Sequence, residues 1–242
     1  MEYVLLALVG GAGLVWLGFR LRARQARGRQ QSADLVELRK LCDEDIGLLG
    51  EELRRLDAEA ATHPPDDASR DDLQAARNAH KTAQQTVGWV TEANEIGRVT
   101  ETLASGHYAL ACVQARGEGR PVPKLRVPCF FNPQHGPSVF EVAFTATGHG
   151  THKVPACASD VARHRAKEKP QIRMVEVRGR RVPYYEAGDA FAPYGAGYFT
   201  GDVAIQRLFF IPTSWPGEGR SAAGWDSQGV RSDGMFGSGS SY

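Results

Sequence analysis

The chain has 242 residues, with 29 Lys and Arg against 28 Asp and Glu and a formal net charge of +1. That length allows one or two domains. The near-neutral balance supplies no global field for a nucleic acid or a strongly acidic partner.

The first element is the uncharged run Tyr3–Phe19, followed at once by Arg20, Arg22, Arg24, Arg27 and Arg29. A helix rises about 1.5 Å per residue, and a bilayer core needs about 17–25 residues, so the run spans at the short end of the range. Tyr3 and Trp16 sit near its ends, where amphipathic rings favour the headgroup layer. A cleaved signal peptide would carry its positive charges before the apolar run, not after it. The expectation is therefore an uncleaved transmembrane anchor over 1–19 and a basic juxtamembrane segment over 20–32. The positive-inside rule then gives a single-pass cell-membrane protein with its C-terminal part in the cytoplasm. Ala7 and Gly11 have the spacing that lets membrane helices approach closely, which leaves a homo-oligomer open. Glycine is common in such helices anyway.

A helical hairpin or coiled-coil domain is expected over 33–116. Leu35, Leu38, Cys42, Ile46, Leu49, Leu53, Leu56 and Ala60 recur at spacings of three and four. Ser32 or Asp34 is in place to cap this helix, and His63-Pro64-Pro65 ends it. A second helix is expected from about Ser69 to Ala104, closing at Ser105-Gly106 with a helical resumption over Tyr108–Arg116. Cys42, on the apolar seam, reads as a small packed hydrophobe.

The Gly- and Pro-rich stretch 117–123 is a linker into a small α+β domain over 117–200. Ser138–Thr147 and Thr151–Ala156 read as a β-hairpin, Cys157–Lys167 as a helix, and Gln171–Val177 with Arg180–Tyr185 as a second hairpin around Arg178-Gly179. Residues 201–242 read as a mostly disordered tail, Gly/Ser-rich from Ser221.

Cys129 and His135 stand in PCFFNPQHGPS, a hairpin follows, and Cys157 then opens a helix with Asp160 three residues on. A hairpin returns the chain to its start, and positions i and i+3 share a helix face. The four residues can therefore meet, and thiolate, imidazole and carboxylate are all zinc donors. The order is that of a treble clef, degenerate because neither end carries CxxC and one ligand is Asp. His149, His152 or His164 could replace Asp160 as the fourth ligand. The same residues also fit buried thiols with Asp160 as a helix cap, or a Cys129–Cys157 disulfide if the domain lies outside the cell. The fold class expected is thus α+β: an N-terminal transmembrane helix, a long helical hairpin, then a small β-hairpin and helix domain.

The segments PCFFNPQHGPSVFEV, VPACASDVAR and RRVPYYEAGDAFAPYGAGYF together resemble a family of uncharacterised, single-span membrane-anchored proteins of high-GC Gram-positive bacteria. The resemblance covers roughly Gly106 to Phe199. It implies an architecture and no mechanism.

No P-loop, GxSxG, HExxH or dinucleotide fingerprint occurs. The expectation is a scaffold or protein-interaction module, with the lipid bilayer and an unidentified protein as partners, no nucleic acid and no catalytic activity. Tyr184, Tyr185, Phe191, Tyr194, Tyr198 and Phe199 either anchor an interface or cover the small sheet. The alternative is a cysteine-dependent enzyme using Cys157 as nucleophile and His135 as base.

Overall fold

A computed structural model describes the backbone of residues 2–211, with the side chains of Trp16 and of residues 19–211. Helix α1 runs unbroken from Glu2 to Thr62. The anchor expected at Tyr3–Phe19 falls on its first turns, where the side chains other than Trp16 and Phe19 lie outside the described residues. Among the described residues no helix is long and apolar enough to cross a membrane. The basic stretch 20–32 is a continuous part of this helix. Arg, Ala and Gln are good helix formers, and no proline interrupts them. Ser32 therefore caps nothing: its hydroxyl donates back to Gly28 O, and Asp34 lies inside the helix.

His63-Pro64-Pro65 stops α1, and Asp66 caps helix α2 (Asp67–Trp89) by accepting from Ser69 N at 2.8 Å. The second helix breaks earlier than expected. The Glu95 carboxylate accepts from the backbone N–H of Thr91 and of Glu92, a capping arrangement that starts a new helix. Helix α3 then runs from Ile96 to Gly117, straight through Ser105-Gly106. Gly106 is no left-handed cap. A Cβ there would lie 2.9 Å from Leu49 Cδ2, so glycine serves close packing against α1. The helical part is three helices rather than two. Its core joins Leu38, Leu49 and Leu53 of α1, Leu73 and Val87 of α2, and Val99, Leu103 and Leu110 of α3.

Strands β1 (Phe140–Ala146) and β2 (Gly150–Ala156) pair antiparallel, with Phe140 opposite Ala156 and Ala146 opposite Gly150. Helix α4 (Ala158–Arg165) follows directly. Strands β3 (Met174–Val177) and β4 (Arg180–Pro183) form the second hairpin, turned by Arg178 and Gly179 at φ 53° and 74°. The chain is thus α+β, with long helices and two small antiparallel hairpins.

Two short helices complete the core, α5 (Ala192–Tyr198) and α6 (Val203–Phe209). α6 lies where a disordered tail was expected to begin, and its Ile205 and Phe209 are buried, as is the adjacent Phe210. The tail beyond residue 211 lies outside the described residues. Met1–Pro212 forms one compact unit, so the helical and α+β parts share a core. α5 crosses α3 at backbone distance: a Cβ on Gly197 would meet Gly97 O at 2.2 Å.

The six aromatics considered as interface anchors are all buried, between 0 and 6 % exposed. Together with Phe130 they form the aromatic core, with Phe130 stacked on Tyr185 at 4.9 Å. What ties this core to α1 is Asp45, itself fully buried. It accepts hydrogen bonds from Tyr194 (2.5 Å), Tyr198 (2.9 Å) and the Arg173 guanidinium (2.7 Å). Asp45→Ala would leave these donors buried and unpaired, at a cost of about 3–5 kcal/mol. Arg178→Ala, which removes an exposed partner of Asp34, should cost under about 1 kcal/mol. Chemical denaturation of the two variants checks the contrast.

Candidate metal centre

The segment Cys129–Gly136 is closed on itself. Cys129 N donates to Gly136 O at 3.0 Å, and Pro128 bridges Pro137. Inside it, Asn132 Oδ1 caps the short 3-10 turn Pro133–His135, and Gly136 at φ 76° takes a conformation that side chains resist. The turn aims His135 inward. The β1–β2 hairpin brings the far end of the chain back: Phe130 N donates to Pro155 O and Val139 N to Ala156 O. Cys157 is the N-cap residue of α4, but its side chain makes no cap bond. Its sulfur is therefore free to face the loop, and Asp160 follows on the same helix face.

All four residues singled out in the sequence meet. Cys129 Sγ, His135 Nδ1, Cys157 Sγ and an Asp160 oxygen all lie within 4.8 Å of one another. Asp160 Oδ2 lies 3.3 Å from Cys129 Sγ, 3.4 Å from Cys157 Sγ and 2.9 Å from His135 Nδ1, and Cys157 Sγ lies 3.6 Å from His135 Nδ1. A tetrahedral ion with ligand bonds of about 2.0–2.3 Å needs its ligand atoms about 3.3–3.8 Å apart. Of these four contacts, three lie at about that spacing and the hydrogen-bonded His135–Asp160 pair is tighter. The second Asp160 oxygen accepts from Gln171 N at 3.0 Å and so fixes the carboxylate from behind. Cys129 and Asp160 are fully buried, Cys157 nearly so, and His135 has 20 % of its side chain exposed. The group can hold a metal ion.

The alternatives for the fourth position fall away. His152 Nε2 is engaged with His149 O at 2.5 Å, and the His149 ring lies 4.9 Å from that of Phe209. His164 is not among the residues whose ligand atoms converge with those of Cys129, His135 and Cys157. Cys42 and Cys112 are buried elsewhere, and all four cysteines are free thiols. Burial pushes the Cys42 thiol well up, as a packed hydrophobe requires.

The electrostatics divide the charges unequally. Burial pushes the Asp160 carboxyl up, but hydrogen bonds from His135, the Gln171 N–H and the Cys129 thiol outweigh it and hold the group at about 2. Burial pulls the His135 imidazole down, yet its bonds to Asp160 and Cys157 raise it to about 9. The Cys157 thiol is lowered to about 4, first by the hydrogen bond from Cys129 and, against burial, by His135 and Ser159. Cys129 moves the other way, raised by its contact with the Cys157 sulfur and by burial. Without metal the site thus pairs a thiolate and a carboxylate with an imidazolium, and keeps one proton on Cys129.

No protein-family model matches this sequence, and no curated protein and no solved structure is significantly similar to it. The chemistry of the site rests on its own geometry.

A ligating imidazole nitrogen and a ligating thiolate must both be unprotonated. Loading a divalent ion at neutral pH is therefore expected to displace two protons, one from His135 Nδ1 and one from Cys129 Sγ. A metal titration of the reduced chain in weak buffer with a pH indicator measures this. Release of none would contradict the protonation pattern.

Proposed function

We propose that the chain is a membrane-anchored, non-enzymatic interaction protein whose α+β part is stapled by one zinc ion. The observation that carries this reading is the convergence of two thiols, one imidazole and one carboxylate, from two separated segments, in a buried cluster. Two sulfurs with one nitrogen and one oxygen favour zinc over magnesium or calcium, which take oxygen ligands. Four protein ligands leave no open coordination position, the mark of a structural rather than a catalytic zinc. The order of closed loop, hairpin and helix N-terminus is that of a treble clef, here with His135 and Asp160 where thiolates are commoner.

The anchor rests on the uncharged run Tyr3–Phe19 and the arginines after it. The interaction role, with an unidentified protein partner or a second copy of the chain, follows from the lack of any other readable chemistry in the sequence. The rival use of the same residues, Cys157 attacking a substrate with His135 as base, has the contact it needs at 3.6 Å. Against it, Cys157 is 5 % exposed and hemmed in by Cys129, Ser159 and Asp160, so a substrate atom has no approach.

The test is the zinc content of the full chain, purified in detergent under reducing conditions. About one zinc per chain is expected, lost in Cys129→Ser and in Cys157→Ser together with a lowered unfolding temperature. A folded chain free of zinc that takes none up on titration would overturn the metal reading.

A further inference from the structure

Five arginines, Arg20, Arg22, Arg24, Arg27 and Arg29, occupy a stretch of α1 that contains no acidic residue before Asp34. All five are exposed. The whole chain nets only +1, so the rest of it is net acidic and the positive charge is concentrated on this one rod. At helical spacing Arg20, Arg24 and Arg27 share one face, while Arg22 and Arg29 fall on the opposite one. The charge therefore forms a collar around the helix, not a stripe along it.

The rod also carries aromatics at one end of the collar. Trp16 is 57 % and Phe19 73 % exposed, and the Arg20 guanidinium lies over the Trp16 ring at 4.0 Å. Trp16, Phe19, Arg20, Ala23, Arg24 and Arg27 line one shallow cleft. An aromatic floor beneath a cluster of guanidinium groups fits a lipid, whose phosphate sits directly above its apolar part. A nucleic acid would satisfy the guanidinium groups but would not need apolar side chains on the side facing Tyr3.

We infer that this collar is a binding surface for anionic lipid headgroups, which α1 crosses upright. The inference rests on the membrane-anchored reading. A helix lying flat would place two of the five arginines away from the bilayer, whereas an upright helix uses all five. The collar is about 13.5 Å long at 1.5 Å per residue. One headgroup layer is about 5–8 Å deep, so the collar fills it and reaches into the adjoining diffuse layer, where the attraction persists for about 8–10 Å. Packing of the folded part begins at Asp34 on the same unbroken helix. The collar therefore sets both the depth of the helix and the height of the folded part above the membrane.

The test uses the full chain reconstituted in bilayers, with spin-labelled phosphatidylglycerol or phosphatidylcholine read by electron paramagnetic resonance. The wild-type chain should associate with the anionic lipid several-fold more strongly than with the zwitterionic one. The preference should fall with added salt and vanish when all five arginines are replaced by Gln. These exposed positions tolerate Gln in a helix, and circular dichroism of the variant checks that the fold is kept. Equal association with both lipids, or a preference that survives the replacement, would overturn the inference. So would a duplex oligonucleotide that binds the collar and displaces the labelled lipid. Carbonate extraction separates this from the anchoring reading. A chain released by carbonate loses its anchor, and the collar is then tested alone by flotation with anionic but not neutral vesicles.

Discussion

Asp160 is the residue on which the small part of the molecule turns. Its carboxylate is fully buried, and both its oxygens are committed. One faces Cys129, Cys157 and His135, and the other holds Gln171 N. A buried carboxylate with no partner would be protonated or would unfold the site. Here it gathers groups that make its burial tolerable, and three of them are side chains that can hold a metal. The loop 129–136, the end of β2, the start of α4 and the segment leading into β3 all meet at this one side chain.

A second buried carboxylate, Asp45, does the same work at the joint between helices and module. It draws Tyr194 and Tyr198 of α5 and Arg173 of the segment before β3 onto the middle of α1. The two centres are linked. Gln134, beside His135, donates to the Tyr198 hydroxyl at 2.9 Å. Arg173 binds Asp45 with its side chain and the Phe131 carbonyl with its backbone N–H. The loop 129–136 is thereby held from behind by the contacts that dock the module on α1.

Much of this was legible in the residues. The spacing of Leu38, Cys42, Leu49 and Leu53 marked the buried seam of α1, and the alternation of Phe140–Ala146 with the Gly148 and Gly150 turn marked the hairpin. The four cluster residues could be named because local rules suffice for them: a hairpin closes on itself, and i and i+3 share a face. What was hidden depends on distant partners. Gly106 looked like a helix end because glycine's turn preference is local, whereas its packing against Leu49 is not. Nothing local marks Asp45 as a buried joint, since its partners lie some 130 to 150 positions away. The helix Val203–Phe209 was missed because seven residues carry too little periodicity, and only packing against the distant Phe130 makes Phe209 a core residue.

The central claim is that Cys129, His135, Cys157 and Asp160 form one closed metal site. X-ray absorption at the zinc edge of the reduced, as-purified full chain tests it most directly. The account predicts two sulfur neighbours at about 2.3 Å and two nitrogen or oxygen neighbours at about 2.0 Å, with an imidazole signature. A zinc shell of light atoms alone would contradict it, as would a chain that holds no metal and carries a Cys129–Cys157 disulfide.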